Sequence, residues 1–143
     1  MAYQFLENGD LEANIIAQFL NERSDEAQTA ILENLELKTI ALIKTKLNGK
    51  YDLDAIFEAS GLDRHYLIID IVVKIVLHQF IRRNAARKVP KDYVDDYNTA
   101  MKLLESIKEG KEQPVGLPPV KDDNGDEVPK VMHGNNRNND FYI

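Results

Sequence analysis

The stretch Tyr66–Ile81, YLIIDIVVKIVLHQFI, is the most apolar in the chain, yet Asp70, Lys74 and His78 interrupt it at intervals of four. It cannot cross a bilayer: about 20 apolar residues are needed, and this run is shorter and carries a carboxylate and an ammonium. Ile68, Ile69, Ile71, Val72, Val73, Ile75 and Val76 are β-branched and favour strands. Strands rarely exceed about ten residues, however. The spacing decides. With Arg82, the polar residues make one narrow stripe slanting along a helix. Asp70 precedes Lys74, the favourable order for an ion pair one turn apart. The pattern predicts a helix over 63–84, capped by Asp63 after Gly61, with Arg82, Arg83 and Arg87 at the end where the helix dipole favours cations. Such a helix is the centre of a bundle, or it also meets another subunit. Its stripe reads as a partly solvated face or a subunit contact. A catalytic role for Asp70 would need a second acid, a nucleophile or a ligand set, and none accompanies it.

The length, 143 residues, suits one domain with a modest core, and the absence of Cys excludes disulfides and thiolate chemistry. The opening MAYQFLENGD lacks the basic-then-apolar order of a secretory signal. The net charge of -6 is uneven: residues 1–60 are acidic, 61–90 basic, and the remainder acidic again. An acidic chain does not usually coat DNA, but the cluster Arg82, Arg83, Arg87 and Lys88 could face phosphates or an acidic neighbouring subunit. Helix-end charge is the plainer reading of that cluster.

Before the central helix two others are expected. One is the short LEANIIAQFLNER after Asp10, with Ile15, Ile16, Phe19 and Leu20 on its apolar side. The other is longer, starting at Ser24 or Asp25 and reaching Leu47. Its apolar positions, Ala27, Ile31, Leu35, then Ile40, Ile43 and Leu47, slip phase near the middle. Asn48-Gly49 ends it, and LDAIFEASG reads as a short turn. A last helix begins at Pro90 and presents Tyr93, Tyr97, Ala100, Leu104 and Ile107 on one face, with Gly110 as its stop. The expectation is thus an all-α, four-helix bundle-like domain over 1–110, followed by an extended, mostly irregular C-terminal arm over 111–143. That arm holds all but one of the prolines and ends in the apolar Phe141-Tyr142-Ile143. Asn124-Gly125, flanked by Val120 and Val128, is a hairpin signal. An arm of this kind could add a strand to a partner's sheet edge, or could simply be a loose terminus.

Motifs for catalysis are missing. DDNGDE places its glycine one step early for a calcium loop, and His133 stands where the closing Glu belongs. His65, His78 and His133 have no helix-spaced ligand partner, and no phosphate loop or nucleophile elbow appears. No enzyme, metal or cofactor is expected.

The order of these signals resembles the head-to-tail connector, or adaptor and head-completion, proteins of tailed bacteriophages, in particular the Mu-like branch. That branch shows an apolar residue and Leu before an RY-x-LP turn; here stand Leu47 and Lys50-Tyr51-Asp52-Leu53, with Asp54 at the Pro position. An Asp-Ile pair inside an apolar helix is matched by Asp70-Ile71. The family's last helix carries Val, then Arg-Tyr, then A-x-x-x-L-x-x-I-x-x-G; here are Val94, Asp96 in place of Arg, Tyr97, Ala100, Leu104, Ile107 and Gly110. The likeness covers residues 25–110. It implies a ring subunit, usually twelvefold, located at the virion neck. The ring binds below the portal protein, contacts the next tail or neck protein and passes the genome through its axis, with no membrane involved. It also implies that Asp70 fixes helix register or a subunit contact, through Lys74 or a tyrosine such as Tyr97.

Overall fold

The structure, a computed structural model, describes residues 3–12, 25–84, 89–121 and 124. Its elements are helices: α1 (Asn8–Glu12), α2 (Asp25–Lys46), α3 (Leu53–Glu58), a 3-10 turn (Gly61–Asp63), α4 (Tyr66–Asn84) and α5 (Lys91–Lys108). Among the described residues there is no strand, only an isolated bridge between Tyr51 and Pro119. The chain is mostly helical, as its periodicities require. Of the first expected helix only Leu11 and Glu12 fall in described structure, at the end of α1; its remainder lies outside the described residues.

The apolar run Tyr66–Ile81 lies in α4, and α4 is the hub. It packs against both α2 and α5, which also touch each other, and α1 touches it as well. Ile68, Ile71, Val72, Ile75, Val76 and Phe80 have no exposed surface, and Val73, Leu77 and Ile81 nearly none. Burial on this scale outweighs the weak preference of β-branched residues for strands, which spans only about 1 kcal/mol. The helix starts later than its sequence signals imply. Asp63 belongs to the 3-10 turn, and the first α-type bond runs from Ile69 N–H to the His65 carbonyl at 3.0 Å. Arg64 and His65 are thereby freed for contacts described below.

The neighbours of α4 are set by ordinary end signals. Gly49 turns the chain at φ 82° after α2. The LDAIFEASG segment is helical rather than a plain turn, because the Asp52 carboxylate accepts from Ala55 N–H at 3.2 Å and caps α3. Pro90 sits just before α5, and Gly110, at φ 79°, ends it. There the Gly110 N–H bonds the Ile107 carbonyl (3.1 Å) and the Lys111 N–H bonds that of Ser106 (2.9 Å), the paired closure that a left-handed glycine allows. On α5 the expected face packs inward: Ala100, Leu104 and Ile107 are buried, with Tyr93 and Tyr97 partly so. Lys46 on α2 pairs with Glu105 on α5 at 3.0 Å.

The first part of the expected arm is irregular, and it lies on the helical domain. Leu117 is buried, the Asp52 N–H bonds the Pro118 carbonyl at 2.9 Å, and Tyr51, also buried, bridges to Pro119. The Asn124-Gly125 hairpin with Val128, the calcium-like loop, His133 and Phe141-Tyr142-Ile143 lie outside the described residues, apart from Asn124 itself.

Candidate functional site

The stripe on α4 is half-exposed. Lys74 Nζ lies 2.8 Å from the Asp70 carboxylate, with 25% and 45% of the two side chains exposed. A pair this wet is a weak support. Tyr97 is not its partner. Tyr97 instead stacks on His78 across α4 and α5, with ring centroids 4.1 Å apart and planes 18° from parallel. Arg82 and Arg83 are exposed at the C-terminal end of α4, while Arg87 and Lys88 lie outside the described residues. The stripe therefore runs from an ion pair, through an aromatic stack, to exposed cations.

Replacing Asp70 with Asn is expected to cost at most about 0.5 kcal/mol in chemical unfolding of the chain. A loss above about 2 kcal/mol would show that the pair holds the fold and is not merely a surface feature.

Burial, followed by the Arg82 charge, pushes the His78 imidazole below its ordinary value. Its Nδ1 is buried without a hydrogen-bond partner among the described residues. Lys74 lies one turn away on the same stripe, so the charges along this line are chiefly positive beyond Asp70. With the folded value below the unfolded one, the unfolded chain binds more protons in the interval between them. Stability is then expected to fall as pH drops from about 7 through the unfolded histidine value near 6.5 and to level off below the folded one. His78→Gln should flatten that slope in urea titrations read at several pH values.

A second polar constellation is far more buried. Glu36 on α2 is 1% exposed, and its carboxylate accepts three backbone N–H groups in a row: Gln4 at 2.9 Å, and Phe5 and Leu6 at 2.7 Å each. Arg64, 8% exposed, completes the grip. Its guanidinium donates to the Phe5 carbonyl (3.1 Å) and to Asp10, and pairs with Glu7 at 3.3 Å. Asp10 also accepts from the Glu7 N–H at 2.8 Å, closing the first turn of α1. Phe5 meets Phe57 of α3 edge-on, centroids 5.2 Å apart, and Leu6 and Leu11 are buried beside them. Tyr3 is pushed up to about 12 by burial and by the nearby carboxylates of Glu33 and Glu36. Together these residues form a seat on which the N-terminal segment lies.

A sequence signal for the seat did exist. The phase slip in α2 falls between Leu35 and Ile40, where Glu36 and Thr39 occupy the inward face. Thr39 is satisfied by the Leu35 carbonyl at 2.8 Å, and Glu36 by the chain it holds. A break in apolar periodicity, filled by a carboxylate, marked a buried polar site.

Two cavities border the docked C-terminal stretch. One, of about 420 Å³, lies among Ala59, Leu62, His65, Tyr66 and Leu117; the other, of about 380 Å³, lies among Lys44, Tyr51, Asp54 and Val120. His65 Nε2 is 2.6 Å from the Val115 carbonyl and holds that stretch in place. Among the described residues no three metal-ligating side chains cluster, and no helix is long and apolar enough to cross a membrane. Comparison with family models, with curated proteins and with solved structures returns no match for the chain.

Proposed function

We propose that this chain is a structural virion protein of the phage head-to-tail connector type: a ring subunit of the neck that joins portal to tail and lines the DNA exit channel. The supporting observation is the central helix. Most of α4 is buried, and the line of groups it leaves partly open runs from an ion pair through an aromatic stack to two arginines. Such a helix suits the wall of an assembly better than a reaction pocket. The sequence resemblance over residues 25–110 supplies the rest: a homo-oligomeric, twelvefold ring touching the portal protein and the next neck protein. In this reading residues 1–110 form a four-helix bundle-like domain. The acidic first sixty residues of one copy meet the basic stretch 61–90 of the next, and Asp70, Lys74, His78, Arg82, Arg83 and Arg87 lie at that junction. The arm's end, Phe141, Tyr142 and Ile143, adds to the adjoining ring.

The docked stretch through Lys121 defines the proper truncation. Deleting 125–143 is expected to leave helical signal and unfolding midpoint within error, because Leu117 and the Tyr51–Pro119 bridge remain. The same deletion should abolish attachment to the portal and the yield of infectious particles. Normal particle assembly by the truncated chain refutes the arm's role.

Exposure of Arg82 and Arg83 favours a second reading, a small DNA-binding or regulatory helical protein that uses them with Arg87 and Lys88 on phosphates. That reading requires DNA binding by the isolated monomer, with affinity falling steeply as salt rises. Salt-independent or absent binding eliminates it.

A further inference from the structure

The seat grips its occupant in an unusual way. Glu36 holds the segment through the main-chain N–H groups of Gln4, Phe5 and Leu6, and Arg64 holds the Phe5 carbonyl. Side-chain selection comes from the buried Phe5, Leu6 and Leu11, and from Glu7 and Asp10 against Arg64. None of these contacts depends on the segment belonging to the same chain. Three successive N–H groups converging on one carboxylate mark a bent main chain, with Gln4 and Phe5 in bends before α1, so main-chain donors supply affinity and burial of the adjacent Phe5 and Leu6 supplies choice. Between the segment and α2 lie the twelve residues 13–24, whose full contour of about 40 Å is enough to reach past one small domain.

We propose that the Glu36–Arg64–Phe57 seat is a peptide-recognition site, and that it takes the N-terminal segment of a second copy of this chain as well as its own. The ligand class is a short peptide with two adjacent large apolar residues followed by acidic groups two and five positions on from the first of them, as in Phe5, Leu6, Glu7 and Asp10. Exchange of an identical element between copies makes no new kind of contact and so joins copies at low cost. The proposal stands on the seat's geometry and is independent of the ring reading.

The test uses the full-length chain and a synthetic peptide of residues 3–12, YQFLENGDLE, carrying a fluorophore at its C-terminus, read by fluorescence anisotropy. The chain's own segment competes at the high effective concentration of a tethered ligand, so binding to the unaltered chain should be weak. Weakening only the resident segment, with Phe5→Ala and Leu6→Ala in the chain, should tighten peptide binding by at least about tenfold. A peptide bearing the same two substitutions should not compete. Because the double variant could lose structure, Gln4→Pro gives an independent route: it removes one main-chain donor to Glu36 and leaves the apolar side chains in place. It should also tighten peptide binding, by a smaller factor. Saturable binding that responds in this way supports the proposal. Peptide affinity unchanged by both alterations, or equal for the doubly substituted peptide, overturns it.

Discussion

Glu36→Ala is expected to cost the chain about 3–5 kcal/mol of folding stability. The reasoning rests on what is left behind. Three consecutive main-chain N–H groups would lose the carboxylate that accepts from them. Each stranded donor costs about 1–3 kcal/mol. The sum, about 3–9 kcal/mol, exceeds the expected loss at its upper end because the segment has another choice: it can leave the seat and bond to water. The loss is therefore capped by the cost of undocking Phe5, Leu6 and Leu11, all of them buried. Glu36→Gln keeps an acceptor oxygen but loses the charge, so about 1–3 kcal/mol is expected. Urea unfolding gives the totals, and hydrogen exchange at residues 4–6 locates the effect. A loss below about 1 kcal/mol for the alanine variant, with protection retained, would mean that the carboxylate is not what holds the segment.

Phe80→Ala is the apolar counterpart, expected to cost about 3–5 kcal/mol. Phe80 has no exposed surface, and it sits on the helix that both α2 and α5 pack against. Collapse around the missing ring is limited, since its neighbours on α4, Val76, Leu77 and Ile81, are themselves buried and fixed by the helix. The effect should appear as a lower urea midpoint with little change in slope. A cost under about 1.5 kcal/mol would show that the space around this side chain is open or easily refilled. Set beside the small effect expected for Asp70→Asn, the two substitutions separate what carries the fold from what lies along its surface.

Most of the fold is readable because helical spacing is a strong physical signal. Tyr97, Ala100, Leu104 and Ile107 announced their packing face, and Gly110 its stop, since nothing else satisfies those steps and that backbone turn. The stripe was legible too, down to the Asp70–Lys74 pair, because a step of four leaves no other geometry on a helix. Three features were not. Asp63 looked like a cap, yet the start of α4 was decided by tertiary contacts that draw Arg64 toward Phe5 and His65 toward Val115. LDAIFEASG read as a short turn, and packing of Ile56 and Phe57 stabilised a helix over Leu53–Glu58. The seat was hidden because its ligands are backbone groups, which every sequence possesses. Only the lapse in α2 periodicity at Glu36 and Thr39 pointed to it, and a lapse reads first as a defect.

The proposed role of α4, the spine of a ring subunit, is checked by cryo-electron microscopy of the neck of particles assembled with this chain. The expected image is a closed ring of this chain directly below the portal, with residues 66–84 helical in its wall and Arg82 and Arg83 at a boundary with a neighbour or the channel. Complete, infectious particles whose neck contains no copy of the chain would contradict it.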